Sequence, residues 1–122
     1  MILVDTSVWV DHLRKSDERL IGLLSAGLVS THPFVVGELA LGRLHGREVV
    51  LISLSDLPRA DVATDAEVLH FIDRHDLAGR GIGYVDAHLL AAAALTADTR
   101  IWTKDRRLHA VAVRLELTAA IS

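Results

Sequence analysis

Short, continuously apolar runs alternate along the chain with stretches in which apolar residues recur at helical spacing. Ile2-Leu3-Val4 is apolar at every position, the pattern of a strand covered by helices on both faces, and it stops at Asp5. Thr6-Ser7 reads as the cap of a helix carrying Val8, Trp9 and Leu13; Ser16-Asp17 reads as the cap of a second carrying Leu20, Ile21, Leu23 and Leu24 up to Gly27. Leu28-Val29-Ser30-Thr31 predicts a second strand. Pro33 suits the first turn of a helix running through Leu44 and ending at Gly46, and a weaker helical pattern follows over Val49 to Leu54. A third, short strand is expected around Leu57 to Val62, confined by Pro58 to an edge or a strand start. Asp65 to His75 reads as a helix with Ala66, Leu69, Phe71 and Ile72 on its buried side, and Gly79 to Gly83 as a loop. The small residues Ala91 to Ala94 make Tyr84 to Ala97 a helix buried nearly all round. Arg100 to Thr103 predicts a fourth strand, Arg106 to Val113 a last helix, and Arg114 to Leu117 a fifth strand.

This alternation predicts an α/β fold with a central, mostly parallel sheet of four to five short strands flanked by helices. Ligands of such open sheets bind outside the carboxyl ends of the strands, where Asp5 and Asp105 are expected. The 122 residues suit one domain over 1–122, and 51% hydrophobic against 24% charged residues can fill a core. The net charge of −3 argues against a generic basic nucleic-acid module, so any contact with nucleic acid must be local. Without cysteine there is no disulfide frame, zinc finger or thiol nucleophile, which fits an intracellular compartment. Met1 runs into Ile2-Leu3-Val4-Asp5 with no basic leader. The apolar run Leu89 to Leu95, at seven residues, falls far short of the roughly 20 of a membrane span.

Four acidic residues stand among apolar neighbours: Asp5 after Ile-Leu-Val, Glu38 within Val35-Val36-Gly37-Glu38-Leu39-Ala40-Leu41, Asp86 within Tyr84-Val85-Asp86-Ala87-His88-Leu89-Leu90, and Asp105 after the fourth strand. Each has an ordinary explanation. Asp5 and Asp105 can cap the helices that follow them, Glu38 can pair with Arg14 or Arg43, and Asp86 can favour a helix start. Together they point to one cause, because buried charges are paired or bind metal. A hard divalent ion, Mg²⁺ or Mn²⁺, takes oxygen ligands and keeps clustered carboxylates ionised. Two such ions suit phosphodiester cleavage.

The same segments carry a family resemblance. Asp5-Thr6-Ser7-Val8-Trp9, His32-Pro33-Phe34-Val35-Val36-Gly37-Glu38-Leu39-Ala40-Leu41-Gly42, Gly83-Tyr84-Val85-Asp86-Ala87-His88-Leu89, and Trp102-Thr103-Lys104-Asp105 followed by Arg107-Leu108, taken in this order, resemble the PIN-domain nucleases, and more closely their VapC-type toxin branch. The resemblance covers essentially the whole chain. It implies a single PIN-like (Rossmann-like) domain and Mg²⁺-dependent endoribonuclease activity, with Mn²⁺ as an alternative ion. It further implies the toxin role in a bacterial, cytoplasmic toxin–antitoxin pair that cuts transfer or ribosomal RNA, with a VapB-type antitoxin as partner and a homodimer as the assembly. Carried over by position, Asp5 and Asp86 hold the principal metal, Glu38 binds it directly or through water, and Asp105 completes the acidic pocket. Thr6 or Ser7 and Thr103 stand at the family's hydroxyl positions. Arg100, Lys104, Arg106 and Arg107 flank Asp105 and are expected to grip RNA phosphates.

Other readings have their own residues. Seven histidines invite metal-free RNA cleavage by a histidine pair, with His88 two residues from Asp86 and His109 one helical turn from Asp105. A non-catalytic α/β interaction domain or a receiver-like signalling domain is the remaining alternative, the latter drawing on Thr103-Lys104. A mean hydropathy of +0.35 suggests apolar surface covered by partners, with Val8, Trp9 and the segments Leu20 to Leu24 and Phe34 to Leu44 as candidate contact surfaces.

Overall fold

The computed structural model describes residues 1–121. Along the chain run β1 (Ile2–Val4), α1 (Thr6–Arg14), α2 (Glu18–Ser25), β2 (Val29–Ser30), α3 (Pro33–Ala40), α4 (Arg47–Ser55), α5 (Asp65–Arg74), α6 (Tyr84–Leu95), β3 (Arg100–Trp102) and α7 (Arg106–Arg114). The strands form a parallel sheet in the order β2-β1-β3, with Leu3 opposite Ser30 on one side and Ile101 on the other. The α/β class and the parallel sheet follow the sequence pattern.

The outer two predicted strands shrink to single bridges. Arg59 pairs only with Thr31, and Thr118 only with Ile101. In the first, the amide of Thr31 donates to Pro58 O and that of Ala60 to Thr31 O; proline has no amide of its own with which to extend a ladder. The fifth strand, expected over Arg114 to Leu117, is displaced because Arg114 closes α7 and the chain turns at Leu115-Glu116 before pairing at Thr118.

Helix boundaries also moved. Asp5, rather than Thr6-Ser7, occupies the cap position of α1, and its carboxylate makes no capping hydrogen bond there. α3 ends at Ala40, short of Leu44, because Arg47 reaches back from α4 and donates from Nε and Nη2 to Ala40 O at 3.1 and 2.8 Å. Gly46, with φ +63°, then begins α4 instead of closing α3. The buried side of α5 is Val68, with Phe71 and Ile72 partly covered, while Ala66 and Leu69 face solvent. A reciprocal cap starts this helix: Thr64 Oγ1 accepts from the Glu67 amide, and Glu67 Oε1 from the Thr64 amide.

The core lies where the sheet meets α6. Leu3, Val4, Val29 and Ile101 are buried, and α6 is buried without a break from Ala87 to Ala93. Its alanines let neighbouring elements approach closely on every side, so truncating a central residue such as Leu89 costs about 2–5 kcal/mol. No helix among the described residues is long and apolar enough to cross a membrane. Val8, Trp9, Leu20 and Leu39, expected as contact surface, are core, whereas Leu41, Val49 and Ile52 are exposed.

Candidate active site at the carboxyl ends of the strands

β1 and β3 run side by side, and the Asp5 amide extends their pairing by donating to Trp102 O at 2.9 Å. The chain therefore delivers Asp5 and Thr103 together. Asp5 is buried, and its Oδ2 accepts from Ser7 Oγ and from Thr103 Oγ1, both at 2.7 Å. The two hydroxyls are themselves oriented: Ser7 Oγ accepts from the Lys104 amide, and Thr103 Oγ1 from the Asp105 amide, each at 3.0 Å. Thr6 points to a different acid, donating from Oγ1 to Glu38 Oε1 on α3 at 2.7 Å.

The other two acids sit at helix starts. Asp86 lies in the first turn of α6, where its Oδ2 accepts from the Gly83 amide at 2.9 Å. Asp105 caps α7, its Oδ1 accepting from the amides of Arg107 and Leu108 at 2.9 and 3.0 Å. The capping explanation for Asp105 is thus true, and it uses only half of the carboxylate. Among the described residues the same division holds for all four acids. One oxygen is held by a hydroxyl or an amide, and the other, Asp5 Oδ1, Glu38 Oε2, Asp86 Oδ1 or Asp105 Oδ2, accepts no hydrogen bond.

Electrostatics bring the set together. Burial pushes the Asp86 carboxyl above its ordinary pKa; the Gly83 amide pulls it down, while the charges of Asp5, Asp105 and Glu38 push it further up. No Lys or Arg among the described residues forms an ion pair with any of the four, so neither Arg14 nor Arg43 neutralises Glu38. Burial is uneven: Asp5 is enclosed and Asp86 partly so, but Asp105 is exposed, as is Glu38 despite its apolar sequence neighbours. The cluster is unneutralised negative charge with four oxygens to spare.

These oxygens suit a hard divalent cation in kind and in charge. Among the described residues, no three His, Asp or Glu side chains are gathered tightly enough to hold an ion as they stand. The acids form an open set.

The four predicted phosphate-gripping cations separate. Lys104 turns away from the acids, its Nζ held by Asp11 at 3.0 Å and Asp17 at 3.6 Å; this also removes the lysine that a receiver-like site requires. Arg100 opens β3, at the end of the sheet opposite the acids. Arg106 and Arg107 remain on the first turn of α7 beside Asp105, and Arg80 and Arg114 join them around one cavity. Arg80 lies in the loop before α6 and Arg114 two turns along α7, so no local motif marks them. Of the histidines, His88 is buried on α6, and His109 lies exposed on α7 without a side-chain partner among the described residues.

Comparison with known proteins falls into the same pattern. Residues 2–114 match the PIN domain family. The chain is 51% identical over 110 residues to Ribonuclease VapC32 of Mycobacterium tuberculosis, in both strain CDC 1551 / Oshkosh and strain ATCC 25618 / H37Rv, covering 90% of this chain and 89% of the relative. Its fold is similar to that in the crystal structure of FitAcB from Neisseria gonorrhoeae, with a TM-score of 0.63 at 21% identity over 100% of this chain and 97% of that one.

Proposed function

The chain belongs to the PIN-domain family, in its VapC-type branch, and from that premise we propose that it is a divalent-metal-dependent endoribonuclease. In this reading it is the toxin of a VapBC-type pair and hydrolyses phosphodiester bonds of transfer or ribosomal RNA in the bacterial cytoplasm. The observation that carries the reading is the half-bonded state of Asp5, Glu38, Asp86 and Asp105, four acids from four separate segments with no cation among the described residues to neutralise them. The identity with Ribonuclease VapC32 supports RNA as the substrate.

When bound, Mg²⁺ or Mn²⁺ supplies an activated water and stabilises charge on the leaving oxygen. Asp5 and Asp86 would be the principal ligands, Glu38 would bind directly or through water, and Asp105 would complete the pocket. Ser7 and Thr103 fix the Asp5 carboxylate by holding Oδ2, which would leave Oδ1 free for an ion, and Thr6 holds Glu38 in the same way through Oε1. The carboxylates alone repel a phosphate brought directly against them, and a bound cation would offset that repulsion at the acids. In-line attack by water leaves 5′-phosphate and 3′-hydroxyl ends.

A VapB-type antitoxin and a second copy of the chain complete the proposal. Exposed Leu41, Val49 and Ile52, at 90%, 70% and 59%, and Leu95 in the apolar groove between α5 and α6, support an assembly in which partners cover apolar surface. The decisive experiment induces the chain and its Asp5→Asn variant in bacteria and maps new 5′-phosphate RNA ends. Ends that appear with both, or that persist in vitro after EDTA, exclude the metal-dependent reading.

A further inference from the structure

α7 and the loop before α6 border a cavity of about 530 Å³ lined by Arg80, Arg106, Arg107, Ala110, Val111 and Arg114, within the roughly 300–1,000 Å³ of small-ligand sites. Its two walls lead to two of the four acids. The loop ends at Gly83, whose amide holds Asp86, and α7 begins at its cap, Asp105. The walls also touch. The side chain of Arg107 lies across Gly81, so that a Cβ there would stand 2.8 Å from Arg107 Cδ, and Gly81 has a φ of +80° that disfavours any other residue.

Four guanidinium groups share this cavity with little to neutralise them. Among the described residues Arg106, Arg107 and Arg114 meet no carboxylate within ion-pair distance. Arg114 donates to the backbone carbonyl of His75, and Arg80 meets the exposed Asp76 at 3.3 Å. Like charges gathered around one space favour an anion there, and the planar guanidinium fork matches phosphate.

We propose that this groove binds the phosphodiester backbone of a single RNA strand, holding the segment next to the phosphate presented to the acids. The proposal rests on the RNA-cleaving reading of those acids. A strand leaving the acidic cluster along either wall enters the groove directly, its phosphates toward the arginines and a ribose or base against the methyl groups of Ala110 and Val111. An acidic peptide finds the same arginines but meets repulsion as it approaches Asp86 and Asp105, which places nucleic acid ahead of it.

The test measures binding of a fluorescent oligouridine of about a dozen nucleotides to the full chain across low to moderate salt, by anisotropy, with EDTA present so that cleavage plays no part. Each phosphate contact on a single strand contributes about 0.7 to the slope of log affinity against log salt. Arg80→Gln/Arg106→Gln/Arg114→Gln is therefore expected to lower the slope by about 2 and to weaken binding on the order of 10- to 100-fold near 0.1 M salt. The corresponding triple lysine variant keeps the slope, and unchanged thermal melting shows that both variants are folded. The proposal is overturned by an undiminished slope in the glutamine variant, by a lysine variant that loses as much, or by no measurable binding to the parent. It is equally overturned if a glutamate peptide, and not RNA, distinguishes parent from glutamine variant. The activity stands or falls separately: a chain that shows this slope but makes no new 5′-phosphate ends with Mg²⁺ keeps the groove and loses the nuclease reading.

Discussion

The fold brings together two sets of titratable side chains and builds them in opposite ways. At the strand ends, each carboxylate has one oxygen anchored and one open, and like charges stand near each other without a cation among the described residues. Beside the sheet, His32 and His88 lie with ring centroids 6.4 Å apart, packed against Phe34 and, for His88, Tyr84. His32 Nδ1 accepts from the Phe34 amide and caps α3, but its Nε2 and both nitrogens of His88 find no hydrogen-bond partner among the described residues; Asp65 Oδ1 stands 3.6 Å from His88 Nε2, beyond hydrogen bonding. Nearness alone does not make a reactive site. The carboxylates are held by one end and offer the other, whereas the imidazoles are enclosed by rings and offer nothing to a substrate.

The sharpest way to break this contrast is to exchange chemistry for packing. Asp5→Asn and Asp86→Asn are each expected to reduce RNA cleavage at saturating Mg²⁺ by about 10³-fold or more; retention of parental rates in either would show that the open oxygens are idle. The histidines answer to pH. Burial, and then the positive charges of His88 and Arg59, lower the His32 pKa from 6.5 to about 4. The unfolded chain thus takes up the proton first, and the stability His32 contributes is intact above pH 6.5 and lost as pH falls toward 4. The full loss is about 3 kcal/mol, read from urea unfolding at a series of pH values, and a His32→Asn variant should lack it.

His32→Ala removes both the cap and the buried ring and is expected to cost about 2–3 kcal/mol, while cleavage measured well below its melting temperature stays within about threefold of the parent. A loss of activity matching that of Asp5→Asn would return the histidines to the chemistry. Thr103→Ala releases one of the two hydroxyls on Asp5 and should lower Mg²⁺ affinity by about tenfold, measured by titrating cleavage against Mg²⁺. The smallest effect has the opposite sign. Because burial and neighbouring charges raise the Asp86 pKa, its charged form opposes folding once pH has risen through that pKa. Asp86→Asn should therefore melt above the parent at pH 7 in EDTA, and no gain would mean that the four charges do not repel one another in the free protein.

Much of this contrast was legible from local pattern. Asp5 follows a run whose unbroken apolarity marks a covered parallel strand and Asp105 follows the strand predicted over Arg100 to Thr103, so their common end of the sheet followed from topology, while Asp86 stood out by its apolar neighbours. What escaped reading depended on distant partners. The end of α3 is set by Arg47, which belongs to the next helix. Lys104 looked like a phosphate contact beside Asp105, yet its charge is taken by Asp11 and Asp17, about ninety positions earlier. The exposure of Glu38 was hidden for a related reason. Its apolar neighbours Val35 and Leu39 face the core, and on a helix adjacent positions face different ways.

The position of β1 has a temporal consequence. It is the central strand of the sheet and precedes both of its neighbours in the chain, while β3, its longer-paired neighbour, begins only at Arg100. Asp5 meets Thr103 across 98 positions, a separation whose closure awaits almost the whole chain. A polypeptide interrupted before β3 already carries Asp5, Glu38 and Asp86 but lacks Thr103, one of the two hydroxyls that hold Asp5, and the Lys104 amide that orients the other, Ser7.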